Sequence, residues 1–275
     1  MFKFETKNID GNVGVPAYSH TLLREKTHPY VLIVPVLNED GRLLMQLASI
    51  QAGKFPVDIV IADGGSTDNS TEPSVLFDLG VSSLLVKTGP GKLSGQLRMA
   101  FSWCLEQGYL GAITMDGNNK DGAEGILRIL EALEEGFDFV QGSRFVPGGK
   151  ATNTPKIRDF AIRLIHAPIT SVASRFRYTD TTNGFRGFSK ELISSGDIAI
   201  FREIFDTYEL IFYLPIRASR LAFKVCEVPV HREYPQEGPT PTKIKGLNSY
   251  IKLLRILFSA STGKYNPRRV LPTCK

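Results

Sequence analysis

Apolar, largely β-branched runs punctuate the chain at residues 30–37 (YVLIVPVL), 57–62 (VDIVIA) and 110–115 (LGAITM). They are continuous rather than alternating, the pattern of parallel strands covered on both faces. Stretches of helical spacing separate them at 39–52, 71–79, 92–107 and 122–135, and shorter runs predict strands at 82–86 and 137–141. The helix at 122–135 carries Ile126, Leu127, Leu130 and Leu133 on one stripe, with Asp121 in the capping position and Glu124 three residues later. Strand and helix alternating in this way predict an α/β fold on a doubly wound, mostly parallel sheet.

Each of the three apolar runs leads into an acidic segment: Asn38-Glu39-Asp40, residues 63–68 (DGGSTD) and Asp116-Gly117-Asn118. Ligands of open α/β sheets bind beyond the carboxyl ends of the strands, so the three segments should meet at one crevice. Carboxylates gathered there repel one another unless a cation, or a group rich in hydroxyl and NH donors, sits among them. A metal-bound nucleotide meets both needs. Taken singly, each segment has a plainer explanation: the first as a helix cap with acids in the first turn, the other two as turns. Their joint placement after three strands of one sheet favours a site.

Beyond Gly142 the rhythm changes. Residues 146–156 form a glycine- and proline-rich loop, and 157–176 read as a long helix with a kink at Pro168. A polar turn at 178–187, a helix at 206–220 and a strand at 223–230 follow, and then a second loop, 233–242, of the length typical of lids. A final helix at about 244–259 places Ile244, Leu247, Tyr250, Ile251, Leu254, Leu257 and Phe258 on one face. The expected organisation is an N-terminal extension (1–28), one α/β domain (29–242) and a basic C-terminal helix and tail (243–275).

Composition narrows the class. At 275 residues and 42% hydrophobic content the chain can bury a full core. The net charge of +5 is modest but uneven: no acid follows Glu237, whereas Lys243, Lys245, Lys252, Arg255, Lys264, Arg268, Arg269 and Lys275 do. Such a segment suits a peripheral contact with an anionic leaflet, and a solvated charged face explains it equally well. Three distant cysteines, Cys104, Cys226 and Cys274, argue for a reducing compartment. The opening residues lack the apolar core of a signal peptide, and no apolar run approaches the roughly 20 residues that cross a bilayer. The expected location is the cytoplasm or the cytoplasmic face of a membrane. No nucleic-acid partner is expected, because no reading motif accompanies the basic tail.

A nucleotide-sugar donor requires a nucleoside pocket, a centre that neutralises diphosphate and an open face for an acceptor. Glu39 and Asp63 suit ribose hydroxyls and a base NH, and Gly64 with Gly65 permits close approach of the backbone. Asp116 and Asn118 can offer oxygen ligands to Mg or Mn. One competing motif, residues 89–95 (GPGKLSG), resembles a dinucleotide-binding fingerprint and would imply an NAD-type oxidoreductase. Its last glycine is one position late, and it leaves Glu39 and Asp63 without a role.

The ordered set PVLNE (35–39), DGGSTD (63–68), MDGN (115–118), GSRFVPGG (142–149) and DTTNGFRGF (180–188) resembles glycosyltransferase family 2, in the branch of the dolichol-phosphate mannosyltransferases and related polyprenyl-phosphate glycosyltransferases. The resemblance spans about residues 29–245. It implies a GT-A fold, inverting transfer of a hexose from GDP-mannose or a UDP-sugar to a lipid phosphate or a glycan hydroxyl, and a divalent metal. It implies further that Pro35, Glu39 and Asp63 contact the nucleoside, beside the nucleotide-binding Gly64 expected from its backbone freedom, that Asp116 and Asn118 hold metal and diphosphate, and that Arg144, Arg232 and Lys243 reach phosphate. Asp180 and Arg186 fall in its acceptor-side segment. For a hydroxyl acceptor Asp180 is the first candidate base and Glu209 the second, Glu209 being open also to the reading of a satisfied buried acid. Asp180 and Arg186 could alternatively pair with each other. Two departures stand out: Gly64 replaces a second acid, and Asn118 replaces the last carboxylate of DXD, for which Lys120 could supply positive charge. A catalytically silent nucleotide-binding subunit is the remaining alternative.

Overall fold

The computed structural model describes residues 4–236 and 246–268. Lys243, Ile244 and residues 237–242 of the expected lid loop lie outside them. The elements run β1 (Thr6–Ile9), β2 (Tyr18–Leu22), β3 (Tyr30–Val36), α1 (Gly41–Gly53), β4 (Asp58–Asp63), α2 (Pro73–Asp78), β5 (Ser83–Lys87), α3 (Leu93–Glu106), β6 (Gly111–Thr114), α4 (Gly125–Glu134), β7 (Phe139–Ser143), β8 (Lys150–Thr152), α5 (Lys156–Ala161), α6 (Ala167–Ser174), β9 (Arg186–Ser189), α7 (Lys190–Ser194), α8 (Glu209–Arg220), β10 (Val225–Pro229), β11 (His231–Glu233) and α9 (Leu247–Ser261).

Among the described residues, one nine-stranded sheet has the order β1-β2-β5-β4-β3-β6-β9-β7-β10. β3 pairs in parallel with β4 and β6, β4 with β5, and β7 with β10. β9 runs against both β6 and β7, and β2 runs against β5. Residues 6–22, within the segment expected as an extension, therefore continue the sheet. β8 and β11 form a separate two-stranded ladder.

The strand period of two sorts β3 between two cores. Val31 and Ile33 face a cluster built on Leu97, Ala100 and Phe101 of α3, whereas Leu32, Val34 and Val36 face Leu43 and Leu47 of α1 and Ile126 of α4. Val31, Leu32, Ile33 and Val34 are fully buried, each contributing about 1.5–3 kcal/mol. Burial on both faces thus fixes the central strand. A third cluster joins Phe212 and Ile216 of α8 to Ile256, Leu257 and Ala260 of α9. The stripe expected on α9 is divided: Leu257 is core, but Tyr250, Ile251, Leu254 and Phe258 are exposed.

The kink expected at Pro168 takes the form of a π turn, Ile162–His166, between α5 and α6. Pro168 has no N–H for Leu164, and the Ala167 N–H reaches back to Ile162 instead. Asp121 is not the cap of α4, whose N-terminal flanking residue is Glu124. Among the described residues no helix is long and apolar enough to cross a membrane.

Candidate active site

The carboxyl ends of β4, β3 and β6 lie side by side, as the acidic segments require. Pro35 explains the opening between β3 and β6. The Ile33 carbonyl accepts from Met115 N–H on the β6 side, and the strand alternation turns the Pro35 nitrogen the same way, beyond the end of β6 at Thr114. The missing donor therefore costs no ladder bond. A narrow crevice follows, lined by Pro35, Thr114, Asp116, Gly184, Arg186 and apolar residues of α3 and α8.

The first two acidic segments brace each other. Asn38 and Asp40 both adopt positive φ, which turns the chain from β3 into α1. Asn38 N–H donates to Ser66 Oγ (2.9 Å), Thr67 N–H donates to Asn38 Oδ1 (2.7 Å), and Asp40 N–H donates to Asp68 Oδ2 (2.7 Å). Asp63 is buried and accepts from Ser66 N–H (2.9 Å), Ser66 Oγ (2.7 Å) and Gly65 N–H (3.1 Å). Its carboxylate organises the turn. Glu39 is bridged by Arg42 at 3.3 Å. Gly64 has a steric reason: an added Cβ would lie 2.9 Å from Gln96 Nε2. That buried amide donates to the carbonyls of Val36 (2.8 Å) and Ala62 (3.0 Å), so Gln96 takes the room a second acid would need.

Asp116 is the half-buried centre of the crevice. It accepts from Arg232 at 2.9 Å and from Asn118 Nδ2 at 3.3 Å. Burial alone would raise its pKa, but Arg232 and Lys120 hold it below the usual carboxylate range. Arg232 also pairs with the buried Asp121 and donates to Asn183 Oδ1 at 3.2 Å. Despite its burial, the two carboxylates hold it firmly charged. Burial, reinforced by Asp116, pushes Asp121 up. Burial and Arg232 lower Lys120 to about 8, against the pull of Asp116. Asn118 Oδ1 is buried and accepts no hydrogen bond from a described residue. Together with the Asp116 carboxylate it offers hard oxygen donors that fit Mg or Mn. Among the described residues no three His, Cys, Asp or Glu side chains form a metal cluster, so a cation here would take further oxygens from a bound diphosphate.

Arg144 and Asp180 lie beside this centre, both buried, joined at 2.6 and 2.9 Å. Burial would raise Asp180, but Arg144 keeps it low, and Asp180 in turn keeps Arg144 charged. The carboxylate expected as a general base is thus engaged, and with Arg144 rather than Arg186. Arg186 donates to the carbonyls of Asn183, Ile211 and Thr181. Its guanidinium fixes the 180–188 segment to α8, and burial lowers it to about 10. Glu209 accepts from the N–H and hydroxyl of Thr207 at the start of α8. Of its two readings, the geometry matches a satisfied buried acid.

Several neighbours escaped the sequence. Asp121, expected as a cap, instead pairs with Arg232 of β11, more than a hundred residues away in the chain. Tyr234 is buried among Lys120, Arg144, Arg158 and Arg232, whose charges hold its phenol below the ordinary value against the effect of burial. Its hydroxyl accepts from Arg158 at 2.9 Å. Only the clustering of basic residues near 144–158 and 232 hinted at this group. Arg144 Nη1 is buried and donates to no described residue.

The sequence profile named Glycosyl transferase family 2 matches residues 31–208. The chain is 27% identical over 213 residues to the polyprenol monophosphomannose synthase of Mycolicibacterium smegmatis, covering 74% of this chain and 77% of that protein. It is 28% identical over 207 residues to the undecaprenyl-phosphate mannosyltransferase of Micrococcus luteus, covering 72% and 81%. Among solved structures it resembles glucosyl-3-phosphoglycerate synthase of Mycobacterium tuberculosis in complex with Mn2+, UDP-glucose and phosphoglyceric acid, with TM-score 0.60, 14% identity and coverage of 86% and 80%. That likeness supports the GT-A fold.

Proposed function

The chain belongs to glycosyl transferase family 2, and from that premise we propose that it transfers a hexose from a nucleotide-diphosphate sugar to the phosphate of a polyprenyl lipid. The observation that carries the acceptor class is the Arg144–Asp180 pair. A hydroxyl acceptor must lose a proton to a base, and Asp180 and Glu209, the two expected candidates, are held by Arg144 and Thr207. A phosphate acceptor is already ionised at neutral pH and needs no base. Arg144, Arg158 and Lys120 around Tyr234 favour such an anion.

In the proposed reaction an acceptor phosphate oxygen attacks the anomeric carbon from the face opposite the leaving group. The new carbon–oxygen bond forms as the bond to the donor's β-phosphate breaks, and its electron pair departs with the nucleoside diphosphate. Asp116 and Asn118 would hold a divalent cation, which supplies countercharge to the diphosphate. Arg232 keeps Asp116 ionised, while Lys120 adds positive charge where the second DXD carboxylate is missing. Pro35 and the braced loops carrying Glu39 and Asp63 shape the nucleoside end. The names of the two bacterial relatives favour a lipid-phosphate acceptor and mannose as the sugar.

The test is a thermal-shift panel of GDP-mannose, UDP-glucose and other nucleotide sugars, with and without Mn2+. The expected result is one donor raising Tm in the parent protein and failing to do so in Asp116→Asn. No shift with any donor would contradict the reading.

A further inference from the structure

In the helical segment from α5 through the π turn to α6, α6 packs against α8 and α9, and the segment turns an apolar side to solvent. Ile157, Phe160, Leu164 and Val172 are 83%, 59%, 62% and 82% exposed, and Pro168 is exposed between the last two. From Phe160 onward these positions recur every fourth residue, so they form a single stripe. Lys156, Arg163 and Arg175 are exposed beside it. The acid of the segment, Asp159, is bridged by Arg163 at 3.1 Å. α9 packs alongside α6 and adds exposed Tyr250, Leu254 and Phe258, bordered by Lys252 and Arg255.

Soluble surfaces rarely leave contiguous apolar side chains of this size uncovered. Apolar ridges bordered by Lys and Arg, with their acid neutralised, have the charge and shape complementary to an anionic bilayer surface. We propose that residues 156–174, with α9 beside them, form a face that lies on anionic phospholipid. Arg158 of the same segment donates to the Tyr234 hydroxyl, so the face borders the basic group beside the crevice. A lipid whose headgroup lies at that surface would present its phosphate there. The inference stands on the exposed stripe and does not depend on the transfer reaction; it names the surface from which a lipid substrate of that reaction would come.

The test is co-sedimentation of the full chain with vesicles of phosphatidylcholine alone or mixed with phosphatidylglycerol, containing no prenyl phosphate. Binding to the anionic vesicles, weakened by salt, is expected. The triple variant Phe160→Ser/Leu164→Ser/Val172→Ser should bind at least about tenfold more weakly, and Lys156→Gln/Arg175→Gln should lose the preference for anionic lipid. Equal binding by parent and triple variant, or no binding by the parent, would overturn the proposal. So would light scattering showing a parent dimer, unbound to vesicles, that the triple variant dissociates, since the face would then join two copies. Should the triple variant not fold, Phe160→Trp gives a second reading: anionic vesicles should blue-shift its emission, and an unchanged spectrum would contradict lipid contact.

Discussion

Arg144 and Asp180 meet fork to fork, Nε to Oδ2 at 2.6 Å and Nη2 to Oδ1 at 2.9 Å, in the buried wall beside the crevice. Removing one charge strands the other away from water, at a cost of about 3–5 kcal/mol. Asp180→Asn should therefore lower stability by that order in urea unfolding, with Asp180→Glu recovering part of it. Lost turnover with unchanged stability would instead assign Asp180 to the chemistry. The sign with pH follows from its lowered pKa. The contribution is complete above the unfolded carboxylate value of about 3.9 and disappears as pH falls through the lower folded value. The parent should lose more stability on acidification than Asp180→Asn.

Gly184 faces Asp116 so closely that an added Cβ would lie 2.8 Å from Oδ1. Gly184→Ala must displace the carboxylate from its place beside Asn118. Donor affinity in calorimetry is expected to fall at least about tenfold, roughly one lost charge-assisted hydrogen bond, with little change in Tm. Unaltered affinity would remove Asp116 from the diphosphate site.

Gln96 and Gly64 form a second steric pair. Gly64→Asp, which restores the family's usual acid, should push the amide off Val36 and Ala62 and cost about 1–3 kcal/mol. Gln96→Ala in the same chain should make the aspartate tolerable, so the two changes together should be less harmful than the sum of each alone. Additive effects in a double-mutant cycle would contradict the pairing.

Lys120, lowered to about 8, links binding and stability in opposite directions. As pH rises above about 8 the folded protein loses this positive charge, and nucleoside diphosphate binding should weaken. Between that pH and the unfolded lysine value of about 10.4 the unfolded chain holds more protons, so Lys120 makes stability rise with pH. Lys120→Met should flatten both trends. Calorimetry and thermal unfolding from pH 7 to 9.5 check this, and an unchanged slope in the variant would exclude Lys120 as the source.

The strands at 30–36, 58–63 and 111–114 were legible because burial on both faces writes a largely unbroken apolar run, whereas those at 83–87 and 139–143, expected at 82–86 and 137–141, left shorter and more mixed signals. β9 was not legible: its first two residues, Arg186 and Gly187, close the segment expected as a polar turn, and no strand was expected there. Its residues form a strand because β6 and β7 leave a slot between them. There a Cβ at Gly187 would meet Ile129 at 2.6 Å. β1 is exposed and polar, so nothing in its composition announces a strand. Acidic segments at strand ends marked the candidate site, but not which charge meets which. Asp116 and Asp121 share Arg232 across more than a hundred residues, and a pairing at that separation leaves no local pattern.

The most direct measurement is mass spectrometry of the product formed when a short polyprenyl phosphate and a glycan hydroxyl acceptor compete for one labelled donor. The account predicts a hexose joined through phosphate to the prenyl chain, formed without proton transfer to Asp180 or Glu209. Hexose found only on the glycan hydroxyl would contradict it.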